Sequence, residues 1–235
     1  MLFRSVLRSV ERSLEALRLD RIDLIFLHSN IIPDDFRFPG ELGNDQLRFS
    51  VTESCFYEAV IPAFESMKAQ GLIGDWGITG TGLPESIIKV LKGDVKPAAV
   101  QAIANLLDSP GGIKRYTEAA EPRRIIQTAV DASVGVLGIR AVQAGALTSA
   151  IDRDLPPDHP EVKDFERAEP FRVLCRDWGR DPADVAHQYA LAMAGIDTVI
   201  LGVKNRAELD ATIAAAKTPL TQEEINTIDA LGLRS

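Results

Sequence analysis

Apolar residues recur along this chain in two rhythms. Leucine and valine at positions 2, 6, 7, 10, 14 and 17 mark one face of a helix over residues 2–18. Phe56, Val60, Ile61, Phe64 and Met67 share a second helical face, and Ile125, Ile126, Ala129 and Val130 a third. Between the helical stretches stand short runs that are apolar almost throughout: 22–28 (IDLIFLH), 73–79 (IGDWGIT), 98–103 (AAVQAI), 135–139 (GVLGI) and 198–202 (TVILG). Strands covered by helices on both faces of a parallel sheet need this continuous apolarity, whereas a sheet with one wet face alternates. Gly71, Gly74 and Gly135 fall at helix-to-strand junctions, where glycine ends a helix.

From Ile22 the order is strand then helix five times over, with a leading helix before it and a trailing one after Thr221. This predicts an α/β fold with five parallel strands. An open dinucleotide-binding sheet has the same alternation, but no GxGxxG follows any run, and GITGTG at 77–82 sets its glycines in another order. The pattern therefore favours a parallel barrel. Two insertions, Ser29–Ser50 and Arg153–Glu169, each follow a strand. In a barrel such loops lie on the C-terminal face, where substrates bind. No internal repeat and no low-complexity segment is present.

With 235 residues, 46% of them hydrophobic and 26% charged, residues 1–235 read as one domain with one sizeable core. A net charge of −8 argues against nucleic acid or an anionic membrane as a partner, since both need a concentrated basic face. Cys55 and Cys175 are too far apart in sequence for a CxxC site and too few for a disulfide scaffold, which suits a reduced cytoplasm. Early arginines and serines suggest a transit peptide, yet the helical spacing and the acidic Glu11 and Glu15 favour a domain helix. No apolar run approaches the roughly 20 residues that span a bilayer.

His28 ends an apolar strand and opens a long loop. A neutral imidazole there can hydrogen-bond a carbonyl oxygen and polarise it for hydride attack; the alternative is a histidine that only caps the strand. His159, in PPDHP, reads as a solvated loop residue, and His187 as a packed helix residue. Neither has partners at metal spacing, so no metal is expected. Trp76 and Trp178 read as packing residues.

Five segments, in order, resemble the aldo-keto reductases. SVERSLEALRLDRIDLIFLHS is similar to that family's helix, D-x-I/V-D-L-x-x-x-H strand and histidine. FESMKAQGLIGDWGITG resembles its L-x-x-G-K-I-R-x-I-G-x-S-N segment, and VQAIANLLD its x-Q-x-x-Y-N-L-L strand. VGVLGIRAVQAGALT resembles G-I-G-V-x-A-Y-x-P-L-x-x-G-L-L-T, and DTVILGVKNRAELDATIAA the cofactor-binding strand and helix. The resemblance covers essentially the whole chain. It implies a (β/α)8 TIM-type barrel, N-terminally truncated, with about five of eight parallel strands present, and NAD(P)-linked interconversion of carbonyl and alcohol groups of small aldehydes, ketones or aldoses. Of the family's Asp, Tyr, Lys and His tetrad only His28 has a counterpart; the other three precede the leading helix. Little or no turnover is expected of the chain as it stands. The alternative is a noncatalytic nucleotide-binding or assembly subunit. Either way, self-association or a complementing N-terminal segment would cover the open sheet.

The same resemblance gives Gln101 the role of holding the nicotinamide carboxamide. Thr79 stands where the family often has Ser, Gly80 where it has Asn, and Ile139 where a Tyr frequently stacks on nicotinamide, with Arg140 next to it. Lacking that Tyr, GIRAVQAGALT points toward aldose or other sugar-type dehydrogenases. Gly202, Lys204 and Asn205 form a strand exit feeding a helix start, which can hold a phosphate with backbone N–H groups. Glu208 replaces a common Arg or Gln near the adenosine phosphate, and Ala211 and Thr212 replace Glu and Asn. The cofactor is NADP or NAD, with Glu208 leaning toward NAD; the bland reading makes Lys204 and Glu208 solvated charges at a helix start.

Overall fold

The computed structural model describes residues 2–40 and 46–234. Five strands form one sheet in the order β1 (Ile22–Leu27), β4 (Ile73–Gly80), β5 (Ala99–Ile103), β6 (Gly135–Ile139) and β7 (Thr198–Val199), which is the α/β parallel architecture expected. β2 (Asn30–Ile32) and β3 (Ser50–Thr52) pair in parallel as a separate ribbon. The contacts of the chain divide it into two compact units. One holds the residues up to Gln101 with Arg115–Ala119 and Thr128–Gly135; the other holds Ala102–Lys114, Ala120–Gln127 and the residues from Val136 onward.

In the first unit, helix α1 (Leu2–Leu17) buries Val10 and Leu14 and leaves Leu17 exposed, so its predicted stripe is used over its middle turns. β1 pairs with β4 from Ile22↔Ile73 to Leu27↔Ile78. The second predicted helix is interrupted. Glu53–Cys55 is one α turn, Phe56–Val60 is a π turn, and α2 (Ile61–Ala69) follows. Phe56, Val60, Ile61, Phe64 and Met67 are nonetheless all buried. Trp76 of β4 is fully buried against them, stacked on Phe64 at 5.5 Å and edge-on to Phe56 at 6.3 Å. Its indole N–H donates to Glu65 Oε1 at 2.6 Å, so the polar tip of this core residue is satisfied.

Of the three junction glycines, only Gly71 takes the left-handed conformation that ends a helix, at φ 74°. Gly74 lies inside β4 and Gly135 opens β6; Ser133, at φ 59°, is the left-handed residue after helix α4 (Pro122–Asp131). Helix α3 (Pro84–Leu91) follows β4. The first insertion is anchored by a small apolar cluster: Ile32, Leu83 and Tyr116 are buried, with Phe36 and Phe38 packed on them and meeting edge to face at 5.1 Å. Asp34 accepts hydrogen bonds from the Ser54 backbone and hydroxyl, tying the insertion to the next helical turn. Residues 41–45 of that insertion lie outside the described residues.

In the second unit, β6 pairs with β7 through Leu137↔Thr198 and Gly138↔Val199. β7 is shorter than the run 198–202 predicted. Its partner β6 ends at Ile139 and the chain turns left-handed at Arg140 (φ 59°), so after Ile200 donates to Gly138 O no ladder remains. Helices α5 (Pro160–Arg167), α6 (Glu169–Asp177), α7 (Pro182–Ala192), α8 (Arg206–Ala216) and α9 (Gln222–Ala230) complete this unit. Proline opens three of them and Thr221 with Glu224 forms a capping box on α9. Phe171, Cys175, Val185, Ala186 and Ala190 supply the core, and burial pushes the Cys175 thiol up to about 12. No helix among the described residues is long and apolar enough to cross a membrane.

Candidate active site

The predicted catalytic residue stands at a strand exit. β1 ends at Leu27, paired with Ile78, so His28 and Thr79 are the next residue on each strand. His28 is exposed. Thr79 is 8% exposed, and its Oγ1 is buried with no hydrogen-bond partner. A buried hydroxyl left so costs about 1–3 kcal/mol, which a ligand oxygen or nitrogen at this point would return. Gln101 is the central, half-buried residue of β5. Gly80 has a packing cause: a Cβ there would lie 2.7 Å from Gln101 O and 2.8 Å from Val100 Cγ2, so the side chain familiar from the resemblance has no room without moving backbone. A Cβ on Gly82 would lie 3.2 Å from Asn30 Oδ1, which brings Asn30 to the exit of β4.

The other predicted cofactor residues meet at the start of α8. Asn205 is its N-cap and accepts from Glu208 N at 2.9 Å. Glu208 folds back, accepting from Asn205 Nδ2 at 3.0 Å through Oε1 and from Lys204 N–H at 2.8 Å through Oε2. Lys204 Nζ pairs with Asp152. Gly202, Lys204, Asn205 and Glu208 are all exposed. A carboxylate of the chain itself therefore holds the donors assigned to a phosphate, and an incoming dianion must displace it. Thr212 is buried, its hydroxyl donating to Glu208 O at 2.8 Å, while Ala211 is exposed.

Comparison with known proteins bears on the family of the chain. The model of the Aldo/keto reductase family matches residues 4–232. The chain belongs to the aldo/keto reductase family. This is an oxidoreductase family whose members bind small-molecule substrates and typically use NAD(P)H. The chain is 27% identical over 230 residues to L-galactose dehydrogenase of Arabidopsis thaliana, covering 96% of itself and 63% of that relative's length. Its fold is similar to aldo-keto reductase AKR11C1 of Bacillus halodurans. The apo form matches with a TM-score of 0.70 at 23% identity, over 98% of this chain and 69% of that one. The holo form gives 0.64 at 22%, over 97% and 65%.

What the sequence did not suggest in this aldo/keto reductase is a buried polar network beyond the exits of β5 and β6. Asn105 is fully buried; its Oδ1 accepts from Leu107 N and Ser109 N, and its Nδ2 donates to Ser109 O at 3.0 Å. Gln143, also fully buried, donates to Ser109 Oγ at 3.1 Å and Asp164 Oδ2 at 2.7 Å. Arg140 donates to Gln143 Oε1 at 2.8 Å and Glu161 Oε1 at 2.9 Å. Arg140 is thus committed to the network, and Ile139, where the resemblance sets a stacking Tyr, is half-buried. Arg140, Gln143 and Ala144 all have positive φ, strain that the network holds in place. Burial would raise the Glu161 carboxyl, but the Gly112 N–H and the Arg140 guanidinium outweigh it and hold the carboxyl below its ordinary value. The available signal was the polar string Asp108–Gly112 after an apolar strand.

His187 lies on α7, where burial lowers its basicity. His159 is not a solvated loop residue: it caps α5 and touches Glu161. Among the described residues, no group of three or more His, Cys, Asp or Glu is placed to hold a metal ion.

Proposed function

We propose that this chain supplies the histidine and cofactor-binding part of an NAD(P)-linked enzyme that interconverts carbonyl and alcohol groups of small aldehydes, ketones or aldoses. What supports it is the family membership together with the position of His28, one residue past the end of β1, whose last residue pairs with Ile78 next to Thr79. The exposed imidazole donates a hydrogen bond to the substrate oxygen and draws charge toward it. The nicotinamide cofactor supplies or accepts the hydride. Gln101 orients its carboxamide, and Thr79 Oγ1, lacking any protein partner, is free to hold a polar atom of the bound molecule. At the start of α8, Glu208 accepts from a ribose hydroxyl more readily than it tolerates a 2′-phosphate, which favours NAD over NADP. The likeness to an L-galactose dehydrogenase supports an aldose within the substrate range.

The general acid is not among the residues proposed here, and the 235 residues by themselves are proposed to turn over little or no substrate. The chain spans 63% of the length of the relative it matches. Ile200, Leu201 and Val203 are exposed past β7, as are Leu209 and Ile213 one turn apart on α8. This apolar surface supports the second reading, an assembly role in which self-association or a complementing N-terminal segment covers it. Two unpaired cysteines suit the cytoplasm, and residues 1–235 are proposed to act as one partial barrel domain.

Fluorescence titration with NADH and NADPH, followed by assay against a panel of aldehydes and aldoses, tests this. Weak NADH binding without turnover is expected. Sustained turnover overturns the inactivity of the chain, preference for NADPH overturns the role of Glu208, and absence of binding by either leaves the assembly role alone.

A further inference from the structure

Helix α5, in the second insertion, docks without an apolar stripe. Of its eight residues only Glu161 and Asp164 are buried, so its inner face is a pair of carboxylates one turn apart. Each carboxylate bridges the same two turns. Glu161 Oε1 accepts from the Gly112 N–H at 3.0 Å, in the turn after β5, and from Arg140 at 2.9 Å, at the exit of β6. Asp164 Oδ2 accepts from Ser109 Oγ at 2.5 Å and from Gln143 Nε2 at 2.7 Å, again one donor from each turn. Gly111, at φ 54°, makes the room: a Cβ there would lie 2.6 Å from Gln143 Nε2, 2.9 Å from Arg140 Nη2 and 3.1 Å from Glu161 Oε1. The two ends of the helix are held differently. At its C-terminus Ala168 is fully buried, and the buried Arg172 of α6 donates to Phe165 O at 2.7 Å and Ala146 O at 3.3 Å, its guanidinium 3.6 Å from the Phe165 ring centroid. Ahead of its N-terminus, Asp154, Pro156, Pro157 and Asp158 are exposed.

We propose that α5 is a lid, latched by Glu161 and Asp164 and hinged at Ala168, which locks the turns after β5 and β6 as one body while docked and releases them together when it lifts. Hydrogen bonds hold over a narrow range of distance and angle, so the helix makes the set or loses it. Lifting exposes no buried apolar side chain of α5, and water takes over each bond, so opening costs the net worth of these bonds rather than their gross strength. Arg167 and His159, the other partners of the two carboxylates, belong to α5 and its cap and travel with it. Arg140, Gln143 and Ala144 have positive φ, a strain that persists only while surrounding bonds enforce it, so the β6 turn relaxes once the latch opens. Direct bonds also join the turns, from Gln143 Nε2 to Ser109 Oγ at 3.1 Å and from Asn105 Nδ2 to Arg140 O at 3.2 Å; these follow the helix rather than holding the turns alone. Glu161 and Asp164 act on the strand exits through such partners and are positioning residues. The latch goes beyond the reaction above and does not depend on which molecule binds.

Native-state hydrogen exchange on the 235-residue chain tests this through the amides of Gly111 and Gly112 on one turn and Gln143 and Gly145 on the other. In the wild type the four are expected to merge onto one opening isotherm as low urea is added, with a smaller urea dependence than global unfolding. Asp164→Asn keeps size and an acceptor but loses the charge, and should speed all four by one common factor of about ten, the loss of one charge-assisted hydrogen bond. Glu161→Gln should do the same. Arg167→Ala, which removes a partner lying on the lid itself, should move the four by less than about twofold. A carboxylate that anchored only its own helix would leave the turns at their wild-type rates in D164N and E161Q; that outcome, or acceleration of one turn without the other, overturns the lid. Separate wild-type isotherms for the two turns, or merger only with global unfolding, would also overturn it and need no variant to fold.

Discussion

At the exits of β1 and β4, His28 is exposed and Thr79 Oγ1 is buried without a partner. Beyond the exits of β5 and β6, Asn105, Ser109, Gln143, Asp164 and Arg140 satisfy one another, with three residues there held at positive φ. Both regions follow strands and both are polar. The difference is in what remains unsatisfied: the first keeps hydrogen-bonding capacity for something that binds, while the second has spent it on fixing its own backbone. A buried polar group with no partner is a cost the folded chain bears unaided, and a saturated network is a source of rigidity.

Substitutions should separate the two regions, beginning with the most damaging. Arg140→Met keeps bulk but strips Glu161 and Gln143 of a partner, and should lower unfolding stability by about 3 kcal/mol in urea titrations. A change below 1 kcal/mol would mean the network is loosely made. Asn105→Ala, which takes a partner from two backbone N–H groups and two carbonyls, should cost about 2 kcal/mol by the same measurement.

Acid provides a milder probe. The folded carboxyl of Glu161 lies below the ordinary glutamate value of 4.5, so its contribution is complete above that value and is lost as the pH falls through the lowered one. Thermal melts should show this acid limb in the wild type and a reduced one in R140M. Thr79→Val should run the other way: removing an unsatisfied hydroxyl should leave stability unchanged or raise it by up to about 1 kcal/mol while weakening NADH binding. Loss of stability in T79V would place a partner on the hydroxyl and erase the contrast between regions. Lys68→Ala breaks a half-exposed pair with Asp75 and should move stability by less than about 0.5 kcal/mol.

Much of the fold was legible from local pattern. The run 135–139 is β6 from end to end, and the trailing helix starts at the Thr221 cap. His28 was singled out because it closes such a run. The π turn at Phe56–Val60 was not legible, since five apolar residues at helical spacing suit α and π windings alike. Nor was the β2–β3 ribbon, whose two strands are three residues each and pair across the insertion. Glu208 was singled out as a carboxylate near the start of a helix, but its grip on Lys204 N–H and Asn205 depends on a side-chain rotamer that spacing does not specify.

By itself, then, the sequence determined the alternation of strand and helix, the family, and the residues standing at each strand exit. These depend on periodicity, caps and short motifs, all contained within a few neighbouring residues. Tertiary structure decided which polar groups are spent and which are left: Ser109 meets Asp164 across 55 positions, Gly112 meets Glu161 across 49, and Thr79 meets nothing. Satisfaction of such long-range pairs is a property of groups brought together by the fold, and no local window of the chain contains both partners.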